Sequence, residues 1–106
     1  MRSYLTHLEC TYCGETYSAE KPARVCHKCG KVLYARYDLK AARAAVDRES
    51  LRERPATMWR YFEVLPVREE SGVVSLGEGF TPLLKAARLG RELGSRALYI
   101  KEEGVN

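Results

Sequence analysis

The chain has 106 residues and a formal charge of +4, from 18 Lys and Arg against 14 Asp and Glu. Its 45% apolar content is typical of a folded chain, and its length supports one small domain or a small module joined to part of a larger one. Because no apolar run approaches the roughly 20 residues that cross a membrane and no secretory signal is evident, we expect a cytoplasmic protein with no membrane partner.

Residues 1–37 are the first of three predicted zones, and they contain all four cysteines. Short segments with β-branched or aromatic residues lie between glycines and prolines here, a pattern typical of short strands. The predicted strands are residues 4–8, 16–18, 24–25 and 31–34. This zone is therefore predicted as a small β-module.

The cysteines form two Cys-x-x-Cys-Gly units, at 10–14 and 26–30. Two intervening residues let a tight turn aim both sulfurs at one point, and the glycine after each pair permits a positive φ. Two such turns facing each other close a tetrahedral site, so the spacing predicts a zinc ribbon. The predicted metal ligands are Cys10, Cys13, Cys26 and Cys29.

The ligand set leaves alternatives open. The four cysteines could be free thiols, could form two disulfides, or could hold iron, which the same ligands bind. A closed shell of four thiolates leaves no coordination position for water or substrate, so we expect the metal to be structural. The first zone should then depend on that metal for folding.

The basic excess lies in the first part of the chain and permits two interpretations. The cations could neutralise nucleic-acid phosphates, or they could offset the negative charge of a zinc-thiolate centre. Because they are interleaved with acids, we favour local compensation by neighbouring cations. Those cations are Arg24, Lys28, Lys31 and Arg36. A free-standing zinc-ribbon module that binds nucleic acid or protein is the alternative.

Residues 38–66 form the second zone, predicted as a helical segment that docks on a neighbour. Asp38 is a plausible N-cap for the alanine-rich residues 39–46. Leu39, Ala42 and Val46 fall at helical spacing and form a narrow apolar stripe. The aromatic cluster at 58–62 is interpreted as packing rather than as a surface that stacks bases, since further apolar residues follow it.

Residues 67–106 form the third zone, predicted as the incomplete start of an α/β domain. It contains a predicted strand at 73–76, a Gly-rich turn at 77–79, a helix near 86–93 and a strand at 97–101. The turn lacks the third glycine of a dinucleotide fingerprint and the Gly-Lys-Ser/Thr of a P-loop. We expect the last strand to lack partners, so that its open edge promotes self-association.

Several motifs together resemble threonine synthase across essentially the whole chain. Besides the two cysteine units, they are Tyr-Asp-Leu at 37–39, Met-Trp-Arg-Tyr at 58–61, Leu-Pro at 65–66, Ser-Leu-Gly-Glu-Gly at 75–79, Thr-Pro-Leu at 81–83 and Leu-Tyr-Ile-Lys at 98–101. The resemblance implies a fold-type II, pyridoxal-phosphate-dependent α/β enzyme of the tryptophan-synthase-β type, preceded by a zinc ribbon. Such an enzyme is a lyase that converts O-phospho-L-homoserine and water to L-threonine and phosphate, with pyridoxal phosphate as electron sink.

The resemblance also implies what the chain lacks. The family motif Pro-Thr-Gly-Ser-Phe-Lys, whose lysine forms the Schiff base, would begin immediately after Asn106, which would itself lie near the cofactor. We therefore assign no catalytic residue and no pyridoxal-phosphate-binding residue. The 106-residue chain alone is expected to be inactive and to bind pyridoxal phosphate non-covalently at most.

Overall fold

The computed structural model describes residues 1–105 and has a mixed α/β architecture with short antiparallel strands. The chain divides into two compact units, one of Met1–Pro55 with Trp59–Val74 and one of Ala56–Met58 with the residues from Ser75 onward. The division into zones 1–37, 38–66 and 67–106 stays a prediction. Among the described residues, no helix is long and apolar enough to span a bilayer.

The first unit contains a three-stranded antiparallel sheet. Its strands are β1 (Leu5–Cys10), β2 (Thr16–Ser18) and β3 (Leu33–Tyr37), in the order β2-β1-β3. Leu8 in β1 lies opposite Tyr17 of β2 on one side and opposite Ala35 of β3 on the other. This central strand leads directly into the first cysteine pair, because Cys10 is its last residue.

The predicted strands of this unit are largely confirmed, with shifted boundaries. The strand at 16–18 is found as predicted, whereas those predicted at 4–8 and 31–34 begin and end later along the chain. Residues 24–25 form only an isolated bridge between Val25 and Val32. Pairing stops there because the chain turns at Cys26, whose amide donates to the Lys31 carbonyl.

Two short helices follow the sheet. Helix α1 (Leu39–Ala45) begins at the predicted N-cap, since the Asp38 carboxylate accepts the Ala41 amide at 2.9 Å. Helix α2 (Arg48–Glu53) was not predicted from the sequence. It begins after Asp47, whose carboxylate accepts the amides of Glu49 and Ser50 and so provides the same capping signal.

The apolar stripe predicted on α1 is only partly buried. Ala42 is buried, whereas the side chain of Leu39 is 66% exposed. The interior of the first unit instead centres on Phe62, which is fully buried, and on Leu5. Phe62 lies in a 3₁₀ segment, Met58–Val64, so it supports the interpretation of the 58–62 cluster as packing. A second 3₁₀ turn covers Glu70–Gly72.

The second unit contains a two-stranded antiparallel sheet. Strands β4 (Leu83–Lys85) and β5 (Tyr99–Lys101) pair through Leu84 and Ile100, and helix α3 (Ala87–Glu92) lies between them in the chain. The predicted helix is confirmed within a residue or two, and Gly94 follows it with φ +67°. The expectation of an unpaired last strand is wrong, because β5 pairs with β4, a strand that the sequence did not predict.

The strand predicted at 73–76 is absent from the structure. The Glu78 carboxylate accepts the Leu76 amide at 2.7 Å and the Ser75 hydroxyl at 3.1 Å, and Ser75 Oγ in turn accepts the Gly77 amide. These local side-chain bonds use the groups that a strand would offer to a neighbour. The side chain of Leu76 is accordingly 97% exposed.

Gly79 is the glycine with the tightest surroundings in the second unit. It has φ +83°, and a Cβ built on it would lie 2.6 Å from the Met58 backbone nitrogen. Gly79→Ala is therefore expected to destabilise the protein by about 2 kcal/mol, from left-handed strain plus the clash. Gly77→Ala is the matched control, since φ is +88° there but no atom lies within 4 Å.

The Gly77→Ala control isolates the strain of a left-handed backbone, which should lower the free energy of unfolding by about 1 kcal/mol. Denaturant unfolding monitored by circular dichroism measures both variants. Equal losses for Gly77→Ala and Gly79→Ala would contradict the close approach to Met58.

Candidate metal centre

The first knuckle, residues 10–14, is a backbone turn closed by its own hydrogen bonds. The Cys10 amide donates to the Glu15 carbonyl at 2.8 Å, and the Gly14 amide donates back to the Cys10 carbonyl at 3.2 Å. Gly14 has φ +73°, the left-handed conformation that the spacing predicted. Inside the turn, the amides of Tyr12 and Cys13 both point at the Cys10 sulfur, at 3.4 and 3.5 Å.

The second knuckle, residues 26–30, repeats this geometry. The Cys26 amide donates to the Lys31 carbonyl and the Gly30 amide to the Cys26 carbonyl, both at 2.8 Å, and Gly30 has φ +71°. The amides of Lys28 and Cys29 lower the pKa of the Cys26 thiol, as those of Tyr12 and Cys13 do for Cys10. The duplication seen in the sequence is thus a duplication of structure.

The two knuckles bring all four sulfurs together. Cys10 and Cys29 lie 3.5 Å apart, Cys13 and Cys26 3.6 Å, and Cys13 and Cys29 3.7 Å, measured between Sγ atoms. All four sulfurs lie within 4.8 Å of one another. These separations are far longer than a disulfide bond, and the four cysteines are free.

The sulfur separations fit a tetrahedral metal ion. A Zn–S bond of about 2.3 Å places tetrahedral ligands about 3.8 Å apart, close to the separations found here. The predicted ligands Cys10, Cys13, Cys26 and Cys29 can therefore hold a metal such as zinc. Iron fits the same donor set, since iron–thiolate centres share this ligand pattern.

The four thiols differ in their surroundings. Cys10 and Cys26, the first cysteine of each knuckle, are buried, whereas Cys13 is exposed and Cys29 is half-buried. Hydrogen bonds from the Tyr17 hydroxyl and from the amides of Cys29 and Lys28 lower the pKa of Cys26 to about 6. At Cys29 the Lys31 amide lowers the pKa, but burial and the three neighbouring sulfurs outweigh it and raise the pKa to about 12.

These opposite shifts have one physical cause. The protein supplies enough hydrogen bonds to stabilise some thiolates but cannot by itself stabilise four negative charges within such a small volume. A dication among the sulfurs removes that repulsion and lets all four deprotonate. The electrostatics of the cluster thus favour a bound cation.

Two of the four cations expected to offset the thiolate charge form ion pairs with carboxylates instead. Lys28 forms an ion pair with Glu15 at 3.5 Å, and Arg36 pairs with Glu9 at 2.9 Å. The side chains of Lys28 and Arg36 are 68% and 47% exposed. Two of the four predicted cations therefore neutralise carboxylates of the same sheet and turns.

Sequence reasoning missed one residue of this site. Tyr17 was predicted only as part of a strand, yet its hydroxyl lies 3.2 Å from the Cys26 sulfur. Its aromatic character in the middle of β2 gave no sign of this contact, which depends on the register of β2 against β1. His27 lies inside the second knuckle and is exposed. Its ring contacts the Tyr17 ring, with the two ring centroids 5.7 Å apart.

The chain resembles curated proteins named threonine synthase. That of Methanocaldococcus jannaschii is 44% identical over 97 residues, which cover 92% of this chain and 24% of the relative. That of Methanosarcina acetivorans is 38% identical over 100 residues, 94% of this chain and 24% of the relative. That of Halalkalibacterium halodurans is 46% identical over 55 residues, 47% of this chain and 15% of the relative.

The chain spans about a quarter of the length of the first two of these relatives. No family model matches it. No solved structure matches it. Asn106, predicted to lie near a cofactor, falls outside the described residues.

Proposed function

We propose that this chain, which is homologous to the N-terminal portion of threonine synthases, supplies a structural zinc ribbon to an enzyme of threonine biosynthesis. The enzyme as a whole would convert O-phospho-L-homoserine and water to L-threonine and phosphate. The observation that carries the proposal is 38–44% identity over 92–94% of the chain. The cysteine cluster is consistent with it, because three of the distances between sulfurs, 3.5, 3.6 and 3.7 Å, are close to those of a tetrahedral thiolate site.

Zinc would serve folding rather than chemistry in this proposal. Cys10, Cys13, Cys26 and Cys29 would fill all its coordination positions, so no site remains for a water or a substrate. The closed shell joins β1, through Cys10, to the turn that precedes β3. A cytoplasmic location belongs to the proposal, since reducing conditions keep the four thiols available for metal.

Pyridoxal phosphate enters the proposal through the family alone. When bound, that cofactor supplies an electron sink for carbanion chemistry, and its Schiff-base lysine and phosphate cradle would lie in the remainder of the longer enzyme. Residues 1–105 supply neither a Pro-Thr-Gly-Ser-Phe-Lys motif nor a residue that we assign to the cofactor. The substrate and its binding groups are likewise proposed for the complete enzyme.

The test compares two proteins. One is the 106-residue chain, and the other is the longer protein encoded when the reading frame continues beyond it. The extended protein is expected to release phosphate from O-phospho-L-homoserine and to form threonine, whereas the 106-residue chain forms none because it lacks the Schiff-base lysine. Amino-acid analysis and phosphate release measure both reactions.

Two outcomes would contradict the proposal: threonine formation by the 106-residue chain, or none by the extended protein. Salt-sensitive binding of RNA or DNA well above that of an equally charged control would instead favour a free-standing binding module. Sedimentation of the same preparation tests the predicted self-association.

A further inference from the structure

Tyr17 connects the sheet to the second knuckle. It is the middle residue of β2 and lies opposite Leu8 of β1, so its backbone is fixed by strand pairing. Its hydroxyl oxygen lies 3.2 Å from the Cys26 sulfur and 3.0 Å from the His27 amide nitrogen. The tilted contact between the rings of Tyr17 and His27 further restricts the phenol.

The two contacts fix the direction of the hydrogen bonds. The His27 amide can only donate, so the Tyr17 oxygen accepts there. The hydroxyl proton then remains for Cys26, whose sulfur acts as an acceptor when it ligates a metal as thiolate. A relay therefore runs from the His27 amide through the Tyr17 hydroxyl to the Cys26 sulfur.

We propose that Tyr17 is a positioning residue of the metal centre, whose hydroxyl holds the Cys26 thiolate in its ligating orientation and withdraws electron density from it. The inference rests on the metal site of the proposed function. The proposed role concerns the Cys26 sulfur alone. Two backbone amides act on each buried sulfur: those of Lys28 and Cys29 act on Cys26, and those of Tyr12 and Cys13 act on Cys10. The Tyr17 hydroxyl is an addition to that shared pattern.

The inference makes the two buried sulfurs unequal. A thiolate that accepts an additional hydrogen bond is a weaker electron donor to the metal but is held more firmly in place. Outer partners of metal ligands commonly affect metal affinity by about 10-fold to 100-fold. Tyr17 should lie toward the lower end of that range, because its phenol is a neutral donor and is half-buried.

The test compares Tyr17→Phe with Tyr12→Phe in the full 106-residue chain. Tyr17→Phe keeps the ring that contacts His27 and removes only the hydroxyl. Tyr12→Phe removes a phenol from the first knuckle, where the Tyr12 side chain is 78% exposed and its backbone amide serves Cys10. Zinc affinity is measured by chelator competition, and the site is also loaded with Co²⁺ for absorption spectroscopy.

Tyr17→Phe is expected to weaken zinc binding about 10-fold, and Tyr12→Phe to leave it unchanged. In the cobalt protein, loss of the hydrogen bond makes the Cys26 sulfur more electron-rich, so the sulfur-to-cobalt charge-transfer band should move to longer wavelength. A merely structural role for Tyr17 would not move that band in a folded protein. Identical affinity and band position in both variants would overturn the inference.

A second substitution covers the case in which Tyr17→Phe does not fold. Site-specific 3-fluorotyrosine at position 17 keeps ring and hydroxyl but makes the phenol a stronger donor, so the band should move to shorter wavelength. An unmoved band would overturn the role of Tyr17 while leaving the metal site intact. Failure of the unmodified chain to bind Zn²⁺ or Co²⁺ would overturn both the inference and the proposed metal site.

Discussion

Cys26→Ser is expected to abolish stoichiometric zinc binding and to unfold the ribbon. The Cys26 side chain is 1% exposed, so its replacement leaves a buried, weakly ligating hydroxyl among three thiols. Structural zinc contributes about 10–16 kcal/mol of apparent binding free energy in small metal-dependent modules, comparable with the whole stability of a typical domain. Elemental analysis and amide hydrogen exchange across residues 5–37 measure the two effects.

Lys28→Gln is the matched control for this variant. Lys28 lies in the same knuckle, and its ion pair with Glu15, at 3.5 Å, is between exposed side chains. Losing such a pair costs less than about 1 kcal/mol, so zinc content and exchange protection should stay as in the unmodified chain. Treating the unmodified chain with a strong chelator should reproduce the Cys26→Ser result. A Cys26→Ser protein that retains both metal and protection would refute the metal-dependent fold.

Glu63→Gln is expected to lower the free energy of unfolding by about 3 kcal/mol at neutral pH. Glu63 and Arg54 form two parallel hydrogen bonds of 2.8 Å, and their side chains are only 8% and 17% exposed. The amide of Gln keeps one acceptor but removes the negative charge and the second acceptor, so the Arg54 guanidinium stays charged and poorly solvated without its counter-charge, which is the costly way to break a buried pair. Denaturant unfolding measures the loss.

The same variant gives a pH dependence with a definite sign. The hydrogen bonds from Arg54 hold the pKa of Glu63 below its ordinary value. Its contribution to stability is therefore present above the unfolded-state pKa, about 4.3, and is lost as pH falls through the lower folded-state value. The difference between the unmodified chain and Glu63→Gln should shrink over that acidic range.

The control for this variant is Glu49→Gln on α2. Glu49 pairs with Arg52 at 3.0 Å in similar chemistry, but the two side chains are 73% and 64% exposed. Its loss should change stability by less than about 0.5 kcal/mol. Equal effects of Glu49→Gln and Glu63→Gln would show that burial of the Arg54 pair contributes nothing measurable.

The clustering of the four cysteines could be predicted from sequence because its rules are local. Two residues between cysteines and a glycine after each pair specify a turn without reference to the rest of the chain, and Asp38 marks the start of α1 in the same way. The capping signal at Asp47 was equally local, since its carboxylate accepts amides two and three residues ahead. The sequence therefore carries a local signal for α2 as well as for α1.

The features that could not be predicted depend on contacts between distant residues. The contact between the Tyr17 hydroxyl and the Cys26 sulfur depends on the register of β2, which brings together two residues nine positions apart. Residues 73–76 have the composition of a strand, but the Glu78 carboxylate captures the Leu76 amide instead. The pairing of β4 with β5 joins residues on either side of α3, which no local pattern specifies.

The paired knuckles have a consequence for which substitutions the site tolerates. Backbone amides of both knuckles lower the pKa values of the cysteine thiols: those of Tyr12 and Cys13 act on Cys10, and those of Lys28 and Cys29 act on Cys26. Every residue except proline carries such an amide, so this part of the stabilisation of the thiolates does not depend on side-chain identity. The positions between the cysteines are thus free to acquire a different charge or a new binding surface, provided that each keeps its N–H and the glycines keep their turns.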